Sequence, residues 1–135
     1  MANPSKDKGT KWESAVVAYL REHHNPTAHR NVQMGRLDIG DISGYYLHAV
    51  EAKAERTITL ADYIRQANRE AIHAGAPFGC AMVKRRNAGV ADAYVVRDVR
   101  TDVRLMNRLR DAEEILQDVA PTVYASFEQR HREAA

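Results

Sequence analysis

Apolar residues recur every three to four positions between Lys11 and Glu22. Trp12, Ala15, Val16, Tyr19 and Leu20 form one stripe, the pattern of an amphipathic helix. Asn25-Pro26 ends it. The pattern then changes to short extended runs: Ala28 to Gln33, Asp38 to Ile42 with Gly40 inside it, and Tyr45 to Lys53. In the last of these a period of two puts Leu47, Ala49, Glu51 and Lys53 on one face and Tyr46, His48, Val50 and Ala52 on the other. Ser43-Gly44 supplies the turn before it. Helical spacing returns in Leu60, Tyr63, Ile64, Ala67, Ala71 and Ala74. Thr59 is placed as its N-cap, with Asp62 completing a capping box and Gly75-Ala76-Pro77 closing the helix. Gly79 to Lys84 reads as an inner strand, Arg85 to Val90 as a polar turn, and Ala93 to Arg97 as a further strand. Thr101 to Val119 is helical through Val103, Met106, Leu109, Ile115, Leu116 and Val119; Pro121 interrupts, and a short helix with a frayed end follows.

This order of elements predicts an α/β fold with a mixed sheet. A chain of 135 residues is expected to form one domain with a core of its own. Its three parts are a flexible basic arm over 1–10, a core over 11–97 and a C-terminal helical extension over 98–135. The single cysteine, Cys80, rules out an internal disulfide and suits a reducing, cytoplasmic setting. No apolar run reaches the roughly 20 residues of a membrane span, so no membrane partner is expected. Gly-x-Gly-x-x-Gly, P-loop and nucleophile-elbow motifs are missing, which removes the usual routes to a nucleotide cofactor. Six scattered histidines beside one cysteine do not make a zinc site.

Charge is informative by position, since the net charge is only +2. Lys6, Lys8 and Lys11 precede or open the first helix, and Lys84, Arg85 and Arg86 follow the inner strand. Such clusters suit phosphate contacts, or simply a solvated surface. The sharper chemistry lies in Asp38-Ile39-Gly40-Asp41-Ile42 and Val50-Glu51-Ala52-Lys53. Glu51 and Lys53 share a strand face, and a hairpin brings an aspartate beside Glu51. A turn centred on Gly44-Tyr45 selects Asp38; a wider turn selects Asp41. Glu13 lies at the edge of the first helix's stripe; Gln66, on the flank of the next helix, is either a surface residue or a contact to a phosphate, the Lys53 amine or a metal-bound water. Clustered carboxylates repel one another unless a cation joins them, which points to a hard ion such as Mg2+.

Three segments resemble the PD-(D/E)xK nuclease superfamily, and within it the archaeal-type Holliday junction resolvases and their phage-borne relatives. They are Lys8-Gly9-Thr10-Lys11-Trp12-Glu13, the run from Leu37-Asp38 through Glu51-Ala52-Lys53, and the helix and strand that end at Val83-Lys84. The resemblance implies a restriction-endonuclease-like core, with a sheet of four to five strands flanked by helices; the extra C-terminal helix after Asp98 has no counterpart in the family. It implies a Mg2+-dependent endodeoxyribonuclease, with Mn2+ as a substitute. Glu13, one or both of Asp38 and Asp41, Glu51 and the Ala52 carbonyl would hold one or two ions, and Lys53 would orient a water or stabilise charge on the phosphate. Lys6, Lys8, Lys11, Gln66, Lys84, Arg85 and Arg86 would hold branched DNA, and paired cuts would call for a homodimer. The alternatives are a nicking or repair nuclease of the same superfamily, a non-catalytic DNA-binding module that keeps the fold, and a small protein-interaction domain.

Overall fold

The computed structural model describes residues 3–132. The chain divides into two compact units, Met1–Asp98 and Val99–Ala135. The first unit contains helix α1 (Pro4–His23) and strands β1 (His29–Arg30), β2 (Ile42–Ser43) and β3 (His48–Lys53). Helix α2 (Leu60–Ala74) and strands β4 (Phe78–Val83) and β5 (Tyr94–Val96) complete it. The five strands form one mixed sheet in the order β1-β2-β3-β4-β5. Only β3 and β4 run parallel, joined by the α2 crossover. The chain is therefore α/β, as the alternating patterns predict.

Period-two alternation sorts the sheet's side chains between two helices. Val50, Ala52, Cys80 and Met82 share a core with Trp12, Val16, Val17 and Leu20 of α1. Ala81 and Val83 pack with Tyr63 of α2 on the opposite face. The buried Trp12 indole donates from Nε1 to the Met82 carbonyl at 3.0 Å, fixing α1 against the end of β4. That bond meets the indole's need for a partner when buried.

Two glycines set how closely the layers approach. A Cβ on Gly79 would lie 2.5 Å from the Ala67 carbonyl oxygen, so its bare backbone lets α2 settle on β4. Gly79→Ala is expected to cost about 2–4 kcal/mol, through separation of helix and strand. Chemical denaturation would measure it; an unchanged midpoint would show that α2 shifts at no cost. Gly40 has φ +100°, and a Cβ there would lie 2.9 Å from the Val50 carbonyl oxygen.

Element boundaries differ from the pattern in instructive places. Helix α1 begins at Pro4, because Asn3 caps it by accepting from the Ser5 and Lys6 amides. Residues 4–10, expected as part of a flexible arm, are therefore helical; Met1 and Ala2 lie outside the described residues. The capping box at α2 does not form: the Thr59 side chain makes no cap bond, and Asp62 engages Arg65 instead. Gly75 does end α2 in the left-handed conformation, at φ 65°. The strands β1 and β2 are much shorter than their extended runs, and a short 3₁₀ turn occupies Gly35–Leu37.

The second unit is a pair of helices, as the pattern interrupted at Pro121 predicts. Helix α3 (Val99–Val119) and helix α4 (Pro121–Arg132) pack on each other across Ala120. Pro121 opens α4, the first-turn position where its missing N–H costs nothing. Val103, Met106, Ile115 and Val119 of α3 remain exposed.

Candidate active site

Ile42 pairs with Val50, so the β2–β3 connection is the wider of the two turns considered. One step along the ladder, Asp41 stands opposite Glu51. The strand leaves its regular path there. The Asp41 amide still donates to the Val50 carbonyl at 2.8 Å. The next donor on that edge of β3, the Ala52 amide, is met by the Asp41 carboxylate Oδ2 at 2.9 Å. A side chain thus replaces a strand carbonyl, and the positive φ of Gly40 allows the turn away. Since the N–H and C=O of a strand residue face the same edge, the Ala52 carbonyl points to the Asp41 side as well.

Glu51 and Lys53 share the α2 face of β3, as their spacing predicts. Glu51 is 1% exposed, and its Oε2 lies 3.4 Å from Lys53 Nζ. Lys53 also donates to Gln66 Oε1 at 3.0 Å, and Gln66 donates through Nε2 to Glu70 Oε1 at 3.2 Å. Tyr63 completes this face: its ring lies 5.3 Å from Lys53 Nζ, and its hydroxyl donates to Glu55 at 2.8 Å.

Glu70 is the site residue that the sequence reading missed. It is 4% exposed, and its carboxyl lies close enough to that of Glu51 to share a proton with it. The signal for it was present: Gln66 and Glu70 are one helical turn apart, beside the buried Ala67 and Ala71. An acid riding next to an apolar stripe marks a buried polar cluster.

The electrostatics follow from this crowding. Burial, first of all, pushes the Glu51 carboxyl up to about 10; the hydrogen bond with Glu70 and the charges of Asp41 and Glu70 add to it, while Lys53 opposes. Asp41 is also raised, mainly by burial, and the Ala52 amide bond works against that shift. The charges of Glu13 and Glu70 raise Asp41 further, while Lys53 lowers it. Glu51 Oε1 and Glu70 Oε2 are buried without a hydrogen-bond partner among the described residues. Two neighbouring carboxyls with no donor for these oxygens require a proton or a cation.

The remaining expected site residues fall around this cluster. Glu13 lies on α1, where Oε2 is held by both Nη2 and Nε of Arg30, at 2.8 and 2.9 Å. Its charge reaches Asp41, but its carboxylate is paired with an arginine of β1. Asp38 sits beyond Gly40, and its carboxylate accepts from the Met34 amide. It lines a cavity together with Gln66 and Glu70. Lys8, Lys84 and Arg86 line one cavity, with Arg56 between them; Lys8, Lys11 and Lys84 line a second beside Trp12. Lys6 and Arg85 are exposed and line neither of these two cavities.

No family model, no curated protein and no solved structure matches the chain. The chemistry must be judged from the donor set. Among the described residues no three His, Cys, Asp or Glu side chains converge as a ready-made ion shell. Mg2+ does not require one, since it is commonly held by one or two carboxylates with water and substrate phosphate. Unpartnered carboxylate oxygens beside a strand carbonyl are hard donors, and they fit such an ion.

Proposed function

We propose that the chain is a metal-dependent DNA endonuclease of the PD-(D/E)xK type, with a restriction-endonuclease-like core. One observation carries the reading. Asp41 and Glu51 meet on neighbouring antiparallel strands, with Lys53 Nζ beside Glu51 and two carboxylate oxygens buried without partners. A purely structural role leaves this cluster costly. Burying two or three acids against one amine is unfavourable, whereas a divalent ion and an anionic substrate bring the charge towards balance.

Asp41, Glu51 and the Ala52 carbonyl would hold the ion, with Glu70 behind Glu51. Mg2+ or Mn2+ supplies Lewis acidity towards phosphate and water. Everything else belongs to the protein. The Ala52 amide fixes one oxygen of Asp41 and so orients the other. Lys53, steadied by Gln66, presents a positive charge to the phosphate where negative charge grows during cleavage. Lys8, Lys84 and Arg86 supply phosphate contacts that position DNA without reading its sequence.

The resemblance extends the reading to four-way junctions cut in pairs by a homodimer. Exposed Val103, Met106 and Leu109 on α3 offer apolar surface for a second copy.

The test is cleavage of labelled four-way junction, flap and linear duplex DNA with and without Mg2+. Paired cuts confined to the junction are expected. Cutting of every substrate would make the protein a general nuclease. Binding without cutting, under Mg2+ and Mn2+ alike, would leave a DNA-binding module and end the enzymatic reading.

A further inference from the structure

The Lys53–Gln66–Glu70 chain has a cation-lined cavity at each end. Past Lys53, residues Ala54 and Glu55 enter a cavity of about 530 Å³ lined by Lys8, Arg56, Lys84 and Arg86. At the other end, Gln66 and Glu70 line a separate cavity of about 530 Å³ with Arg36, Arg69, His73 and Asp38. The first matches the basic clusters visible in the sequence, with Arg56 added. The second collects residues that no sequence cluster suggests: Arg36 comes from the 3₁₀ turn and Arg69 and His73 from α2.

We infer that the cavity of Arg36, Arg69 and His73 is a second phosphate-binding site. It holds the DNA strand on the far side of the cleaved bond from the Lys8–Arg56–Lys84–Arg86 cavity. This rests on the nuclease reading and narrows its substrate to the interior of a strand.

Three observations support it. Neither Arg36 nor Arg69 forms an ion pair or side-chain hydrogen bond among the described residues, so both guanidinium groups are available. Each acid of the cavity has one oxygen engaged: Asp38 accepts from the Met34 amide, and Glu70 Oε1 accepts from Gln66. The His73 ring is held in place by its Nδ1, which donates to the Asp38 carbonyl at 3.0 Å. Arginine suits this task, because its planar fork matches a phosphate edge. A strand gripped on both sides of the cluster needs no free end.

Binding in EDTA, where no strand is cut, provides the test. Fluorescence anisotropy compares a closed circular single strand with its linear form across a salt series. The variants are Arg36→Ala/Arg69→Ala, Arg56→Ala/Arg86→Ala, and Arg65→Ala as a control on the same helix, with thermal unfolding to verify each fold. Circle and line are expected to bind equally. Each double variant should weaken binding by roughly 5–50-fold and lower the salt slope by about 1 per lost phosphate contact, with the control unchanged. A folded Arg36→Ala/Arg69→Ala protein with wild-type affinity and slope would overturn the assignment, as would a circle bound tenfold more weakly than the line. Cleavage is scored separately. Absence of Mg2+-dependent cutting, with these binding effects intact, removes the nuclease and keeps the second phosphate site.

Discussion

Glu51→Gln and Lys53→Ala are each expected to lower the proposed Mg2+-dependent DNA cleavage by on the order of 10²–10³-fold, the usual cost of losing one preorganised electrostatic group at a reacting centre. The two variants should differ in how they fail. Glu51→Gln removes a hard oxygen donor, so it also weakens Mg2+ binding, measured calorimetrically. Lys53→Ala leaves the acids in place and opens their mutual repulsion. It therefore keeps or tightens Mg2+ binding while turnover falls. Gln66→Ala, which frees the amine without removing it, is expected to cost about tenfold or less. If Lys53→Ala cut DNA at the wild-type rate, the amine would be a structural counter-ion to Glu51 and the proposed chemistry would fail.

The metal-free protein is expected to lose stability as pH rises. Glu51 ionises near 4.5 when unfolded but keeps its proton to about 10 in the folded state. Between those values the folded state binds more protons than the unfolded one, so alkali favours unfolding. The contribution is complete below pH 4.5 and is lost progressively up to about pH 10. Asp41, also raised, acts in the same direction. Glu51→Gln cannot ionise. Relative to wild type it should gain on the order of 2–4 kcal/mol by pH 8 and little at pH 5. Urea unfolding in EDTA at the two pH values measures the difference. A variant less stable than wild type at pH 8 would show that the carboxylate is ionised and satisfied in the folded state. Mg2+ should displace the shared proton, so its stabilising effect should grow with pH.

How far the sequence revealed this site depends on the range over which each signal acts. Glu51 and Lys53 were legible because a two-residue period is a local property of one strand. The choice between Asp38 and Asp41 was not, because it depends on turn width. That width is set by backbone geometry at Gly44 and Leu47, both at positive φ. Leucine at such a position is unfavourable and sends no compositional warning. The helix start at Pro4 was signalled by Asn3-Pro4, but the lysines that follow suggested a solvated arm. Glu70 was obscured by a stripe of alanines that account for the buried face of α2 by themselves. Arg36 and Arg69 lie 33 positions apart in the chain and meet only through the crossover to β4. Nearby residues announce themselves in a sequence; a cavity assembled from distant turns does not.

The hydrogen bonds around the acid cluster also determine how each carboxylate can bite. Asp41 has already given one oxygen to the Ala52 amide, Glu51 one to Lys53, and Glu70 one to Gln66. Each is left as a single-tooth donor. Large ions that seek seven or eight oxygens are served by two-toothed carboxylates, whereas a small octahedral ion accepts one oxygen from each acid and keeps its water. Calcium should therefore compete poorly with magnesium, because the backbone and two amide-bearing or amine-bearing side chains have already taken the oxygens it would need.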